Sequence, residues 1–130
     1  VILDTSFLID LFDGRRGAFE KGTELSEAQT VQRVPAPVVM ELTYGAEFGD
    51  EGERRNVQNA LRMYPVVEQD ETIARRAGQL LARADRKAGG ESGIDKVDPV
   101  VGAVSDIYDE PVLTANVEDF EALGVDVETY

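Results

Sequence analysis

Four acids and one amide in this chain stand where a fold could turn them into chemistry: Asp4, Glu41, Asp98, and Asp119 with Asn116 beside it. Asp4 follows Val1-Ile2-Leu3, Glu41 lies in Pro37-Val38-Val39-Met40-Glu41-Leu42, Asp98 precedes Pro99-Val100-Val101, and Asn116 and Asp119 come after Val112-Leu113-Thr114. Each therefore sits just after an apolar strand-like stretch or at the start of a helix-like one. In a parallel α/β sheet such positions meet at the carboxyl edge, where ligands bind. Two carboxylates about 5 Å apart repel by about 3 kcal/mol at an effective dielectric of 20, so several converging acids require a cation to stay ionised together. The chain has no His and no Cys, which removes the usual zinc ligand sets, serine–histidine triads and thiol chemistry. Oxygen-only ligands select Mg²⁺ or Mn²⁺. A hard divalent ion polarises a phosphate and lowers the pKa of a water, the machinery of phosphodiester hydrolysis.

Each acid also has a plainer use. Asp4 or Thr5 could cap the helix that follows the first strand. Glu41, about one turn into a helix, would gain from the positive helix end. Asp98-Pro99 reads as an N-cap and first helical residue. Singly these readings are the simpler ones; taken together the acids favour a site.

The elements that would position them alternate between strand and helix. After the first strand, Phe7 to Phe12 has helical apolar spacing, and Ala18 to Val31 reads as a polar helix. Val34-Pro35-Ala36 is a short extended piece, followed by a helix from Pro37 to Phe48 with Val38, Val39, Leu42 and Ala46 inward and Met40 or Tyr44 at the border. A helix from Glu53 to Tyr64 turns Val57, Ala60, Leu61 and Tyr64 inward, and a strand at Val66-Val67-Glu68 comes next. Asp70 to Ala88 is the clearest helix, with Ile73, Ala77, Leu80, Leu81, Ala84 and Ala88 on one stripe. A Gly-rich loop leads to the Asp98 helix, then to the buried strand Val112-Leu113-Thr114, a short helix at Val117 to Phe120, and an edge strand at Val125-Asp126-Val127. The expected fold is α/β, a three-layer sandwich with a central parallel sheet, as a single domain over residues 1–130.

Composition bounds the rest. No apolar run approaches a membrane span and no signal segment leads the chain, so a cytoplasmic protein with no membrane partner is expected. Twenty-six acids against 13 bases give a formal charge of −13, which ordinarily repels nucleic acid. Only Lys21, Lys87 and Lys96 are lysines. An acid-rich, Lys-poor surface suits a halophile's high-salt cytoplasm, where the Debye length is about 3 Å at 1 M. Against that background Arg75, Arg76, Arg83, Arg86 and Lys87 share one face of the Asp70 to Ala88 helix, within about 120° at 3.6 residues per turn. A solvated face with Glu71–Arg75 pairing accounts for them simply; the alternative is a track for RNA phosphates or an acidic partner.

The stretches Leu3-Asp4-Thr5-Ser6-Phe7-Leu8-Ile9-Asp10, Pro37-Val38-Val39-Met40-Glu41-Leu42, Asp98-Pro99-Val100-Val101-Gly102-Ala103 and Leu113-Thr114-Ala115-Asn116-Val117-Glu118-Asp119-Phe120 together resemble the PIN-domain ribonucleases, most closely the VapC-type toxins of toxin–antitoxin pairs. The resemblance runs through the whole chain in order. It implies a Mg²⁺- or Mn²⁺-dependent endoribonuclease that leaves a 5′-phosphate and a 3′-hydroxyl. Asp4, Glu41 and Asp98 would be the metal-binding catalytic acids, with Ser6 and Thr114 supporting them by hydrogen bonds. Where the family often carries a fourth acid this chain has Asn116, which offers a neutral oxygen, so a second metal would depend on Asp119. Homodimers and an antitoxin that covers the active-site groove are further implications.

Three other readings remain open. A phospho-acceptor receiver domain has an acid pair at the end of its first strand and a Lys beyond its last, whereas Asp4 is single and no Lys follows Lys96. A haloacid-dehalogenase phosphatase has a second Asp two residues after the first, where this chain has Ser6. A catalytically inactive protein-interaction module would keep the fold alone.

Overall fold

The computed structural model describes residues 1–130. Its five strands are short and fully parallel. β1 (Ile2–Leu3) pairs with β4 (Val112–Leu113), and β4 with β5 (Val127–Glu128). β2 (Val34–Pro35) pairs with β3 (Val66–Val67). A parallel bridge between Ile2 and Arg33, with Leu3 N–H donating to Arg33 O at 2.9 Å, joins the two ribbons. The strand order is thus 3-2-1-4-5, and the chain reverses its direction of winding between β1 and β4. In sheets of this kind the crevice beyond the carboxyl ends at the reversal point is where ligands bind. Asp4 follows β1 and Thr114 follows β4, so the two flank that crevice.

The β-branched and Leu residues of β1, β2 and β4 are wholly buried, as strands covered on both faces must be. Phe7 and Leu8 of α1 (Thr5–Phe12), Val38 of α3 (Ala36–Ala46), Val101 and Ala103 of α6 (Asp98–Tyr108) and Phe120 of α7 (Val117–Ala122) complete the core. Helix α2 (Arg16–Glu27) packs on α1, α4 (Glu51–Leu61) on α3, and α5 (Glu71–Ala88) on α6. This is the three-layer arrangement expected, with the parallel sheet at the centre. No helix is long and apolar enough to cross a membrane.

Local chemistry moves several element ends. α2 stops at Glu27 because Gln29 enters the left-handed region at φ 55°, so the expected extension to Val31 fails. Asp50 and Asp70 cap α4 and α5, accepting from Glu53 N at 2.8 Å and Ile73 N at 2.9 Å, so both helices begin at the residue after the cap. Gly89, at φ 75°, ends α5 as glycine does at a left-handed C-cap. The inward stripes are narrower than expected. Met40 and Tyr44 are 59% and 68% exposed rather than bordering the core, Ala88 is exposed, and Val39, Val57, Ala60, Tyr64 and Leu81 are half-buried. Gly102 lies where α6 meets its neighbours: a Cβ there would stand 3.5 Å from Leu123 and 3.7 Å from Leu80.

The Asp70 cap supplies a first stability prediction. Asp70→Ala leaves the Ile73 N–H without its partner at the start of the longest helix, and a urea titration is expected to lose about 1 kcal/mol. An unchanged midpoint would mean that water replaces the cap fully.

Candidate active site

Asp4 stands at the N-cap position of α1 with extended backbone, yet its side chain caps nothing. Its backbone N–H donates to Leu113 O at 3.1 Å, locking the end of β1 to the end of β4. Its carboxylate, 4% exposed, accepts from Ser6 Oγ at 2.9 Å and from Thr114 Oγ1 at 2.7 Å, both on Oδ2. Ser6 and Thr114 are themselves 3.2 Å apart, and their oxygens accept from Ala115 N (3.0 Å) and Asn116 N (2.8 Å). The cap reading of Asp4 therefore fails. Two hydroxyls, each oriented by a backbone N–H of the same turn, hold the carboxylate in one rotamer.

Glu41 lies on the second turn of α3, half-buried, and accepts from Thr5 Oγ1 at 2.6 Å. The sequence offers Thr5 only as a possible cap; the structure gives its hydroxyl to Glu41 instead. The Asp-Thr-Ser run carried the signal: in a helix start, successive hydroxyls point to different neighbours.

Asp98 is not a cap either. Asp95 Oδ1 accepts from Val97 N and Asp98 N, both at 2.9 Å, and so serves the start of α6. An Asp three residues before the helical acid was the overlooked cap signal. Freed from that duty, Asp98 is 8% exposed and accepts from Asn116 Nδ2 at 3.0 Å. The second Asn116 N–H donates to Asp119 Oδ2 at 2.9 Å. One amide thus bridges two carboxylates.

Electrostatics links these groups. Burial first, then the charges of Asp95, Asp4, Asp119 and Glu41, push the Asp98 carboxyl up to about 7. Asp4, Glu41, Asp98 and Asp119 consequently share one field, although they come from four separate parts of the chain. As the side chains stand, no three acids close into a cage around a common point. This amends the expectation that only a cation could make the crowding tolerable. Here hydroxyl donors on Asp4 and Glu41, the Asn116 amide, and the high proton affinity of Asp98 relieve the repulsion. The donor set still suits a hard divalent ion: every group is an oxygen, and only one carboxylate oxygen each of Asp4, Glu41, Asp98 and Asp119 is engaged by a side chain. A buried acid with raised proton affinity exchanges its proton readily for a cation.

The basic face of α5 is divided. Arg75 pairs with Glu71 at 3.3 Å and Arg76 with Asp106 of α6, the solvated arrangement anticipated for the first and a helix–helix tie for the second. Arg83, Arg86 and Lys87 are exposed and make no ion pair, and no hydrogen bond links any of the five to Asp4, Glu41, Asp98 or Asp119.

A groove of about 470 Å³ opens beside Glu41, between α1, α3 and α4. Ile9, Phe12, Leu42, Ala46 and Val57 line it, and Asp13, Glu41 and Glu53 give it a negative rim. Tyr44 near the end of α3 and Phe48 in the turn just beyond it, both largely exposed, pack edge to face at 5.0 Å.

Solved structures share this architecture. The DNA-bound VapBC of Salmonella typhimurium superposes with a TM-score of 0.83 at 22% identity, covering 98% of this chain and 96% of that one. VapBC2 of Rickettsia felis, bound to a promoter fragment, gives 0.78 at 15% identity over 99% and 97%. A toxin–antitoxin complex from Klebsiella pneumoniae gives 0.72 at 24% identity over 92% and 89%. No curated protein sequence matches the chain. The family model described as PIN domain matches residues 1–125, nearly the full length and every acid of the cluster: the chain belongs to the PIN domain family.

Proposed function

We propose that this protein is a metal-dependent endoribonuclease and the toxin of a toxin–antitoxin pair. PIN domains are typically nucleases. The observation that carries the reading is the gathering of Asp4, Glu41, Asp98 and Asp119 at the crevice where the strand order reverses, where burial first, and then the charges of Asp95, Asp4, Asp119 and Glu41, raise the Asp98 carboxyl to about 7. In this reading Asp4, Glu41 and Asp98 hold Mg²⁺ or Mn²⁺, with Asp119 and the Asn116 amide at its border. When bound, the ion would polarise the scissile phosphate and lower the pKa of a water. Ser6 and Thr114 keep Asp4 in place, Thr5 keeps Glu41 in place, and Asn116 spaces Asp98 from Asp119. Supporting partners of this type typically change metal affinity by about 10–100-fold when removed.

The acid-rimmed groove beside Glu41 supports the antitoxin half of the proposal. An apolar segment carrying a cation would bury its side chains on Ile9, Phe12 and Val57 and reach Glu41 with its charge, closing the site. The inactive-module reading differs in one respect, since it has no use for a metal. A homodimer, a cytoplasmic location and a halophilic source belong to the same proposal. For the last, molar KCl is expected to raise the melting temperature as screening relieves the charge of −13; a flat or falling curve would count against it.

The decisive experiment incubates purified protein with a mixed RNA pool in Mg²⁺, in Mn²⁺ and in EDTA. Cleavage with divalent ion only, giving 5′-phosphate ends, is the expected result. Absence of cleavage under all three conditions, from folded protein free of antitoxin, would favour the inactive module.

A further inference from the structure

On the other side of α3 from the acid-rimmed groove lies a second one of about 400 Å³, lined by Ala36, Pro37, Met40, Gln69, Lys96, Val97 and Val100. It adjoins the acid cluster along the chain: Met40 precedes Glu41 on α3, and Val97 and Val100 stand on either side of Asp98 and Pro99. Its lining contains no acid. Among the five main grooves it alone combines that property with a cation, in a chain whose acids outnumber its bases two to one. Lys96 is exposed and makes no ion pair, a state it shares with Arg62, Arg83, Arg86 and Lys87; half-buried Arg54 also lacks an ion pair, but none of those five lines this groove. Met40, a large apolar side chain 59% exposed, offers the groove an open apolar surface next to Glu41 in the chain.

We propose that this groove is the subsite for the nucleotide next to the scissile phosphate, in single-stranded RNA. The proposal rests on the nuclease reading and extends it to substrate placement. The volume is at the lower end of ordinary ligand pockets, about 300–1,000 Å³, and admits one nucleotide. A base would lie against Met40, Pro37 and Val97, since its π-face tolerates any apolar, polarisable surface. The Gln69 amide offers one acceptor and two donors to a base edge. Lys96 supplies a point charge for the adjoining phosphate. The two grooves at the cluster are then divided by charge: the acid-rimmed one repels RNA and suits a cationic peptide, while the Lys96 groove attracts an anion.

Binding can be read without catalysis. In EDTA, fluorescence anisotropy with labelled single-stranded homopolymers would follow the wild-type protein, Lys96→Ala, Met40→Ala and Gln69→Ala. Arg62→Ala, which removes an exposed cation outside the groove, serves as control. Lys96→Ala is expected to weaken binding several-fold and to flatten the slope of log K against log salt by about 0.7, the value for one lost single-strand phosphate contact. Met40→Ala should weaken binding to every homopolymer, Gln69→Ala should narrow the differences between them, and Arg62→Ala should change neither affinity nor slope. If the wild type binds but Lys96→Ala and Met40→Ala match it in affinity and slope, the subsite is overturned and the nuclease reading stands. If Met40→Ala converts a dimer to a monomer in sedimentation and leaves RNA affinity unchanged, the groove is an interface between copies and the subsite is again overturned. A wild type that neither binds nor cleaves RNA overturns both.

Discussion

Asp98→Asn is expected to lower metal-dependent RNA cleavage by more than about a hundredfold, beyond what loss of a supporting partner typically does, while making the metal-free protein more stable at neutral pH. The two effects have one cause. In the folded protein, burial and the charges of Asp95, Asp4, Asp119 and Glu41 raise the Asp98 carboxyl from 3.8 to about 7. Between those values the folded chain keeps a proton that the unfolded chain has released. Stability from this group is therefore fully present below about pH 4, declines as pH rises toward 7, and is gone above it. The full shift corresponds to about 4 kcal/mol at 1.36 kcal/mol per pH unit, and about 1–2 kcal/mol is expected once solvent at the mouth of the crevice screens the charges. Asn keeps the shape and accepts from Asn116 without ever ionising. Thermal melts in EDTA at about pH 5 and pH 8 should show wild-type stability falling with pH more steeply than that of the variant. Asp4→Asn and Glu41→Gln should share the loss of activity with equal or higher melting temperatures. Retained cleavage with a lowered melting temperature would assign Asp98 a structural role instead.

Asn116→Asp tests the same field from the opposite side. The wild-type amide gives one N–H to Asp98 and one to Asp119, at 3.0 and 2.9 Å. A carboxylate there removes both donors and adds a further negative charge at the point where the two acids were held. Loss of a donor to a buried charged group is worth about 1–3 kcal/mol, so the metal-free variant should lose at least about 2 kcal/mol in a urea titration at pH 8. Mn²⁺ or Mg²⁺ should then stabilise it more than the wild type, because an ion that binds only the folded state adds RT ln(1 + [L]/Kd) and the added oxygen lowers Kd. A variant as stable as the wild type in EDTA would mean that the amide bridge contributes nothing. Equal stabilisation by metal in both proteins would place position 116 outside the ion's reach.

The helices and strands were legible because their signals are local. Five apolar residues at helical spacing between Asp70 and Ala84 can bury only by coiling, and Val-Ile-Leu and Val-Leu stretches between turn residues pair as strands. Asp4 was legible as a candidate for a related reason: an acid directly after an apolar strand has few places to go. What could not be read was the use to which each polar side chain is put. Asp4, Thr5 and Asp98 all satisfied the rules for helix caps, and none of them caps. Asp95 took that task at α6, Thr5 turned to Glu41, and Ser6 and Thr114, 108 positions apart, met on one oxygen of Asp4. Capping preference depends on type and spacing, but the partner chosen depends on which donors a distant segment brings within 3 Å.

By itself the sequence determined the alternating elements, the parallel sheet they imply, and the restriction to oxygen ligands that follows from having no His and no Cys. Tertiary structure alone decided the order 3-2-1-4-5, the reversal between β1 and β4 that sets Asp4 beside Thr114, and the bridging of Asp98 and Asp119 by Asn116. The reason is one of range. Hydrophobic periodicity is written within a few residues, whereas hydrogen-bond partners and the summed field on a carboxyl depend on separations in space that no local pattern encodes.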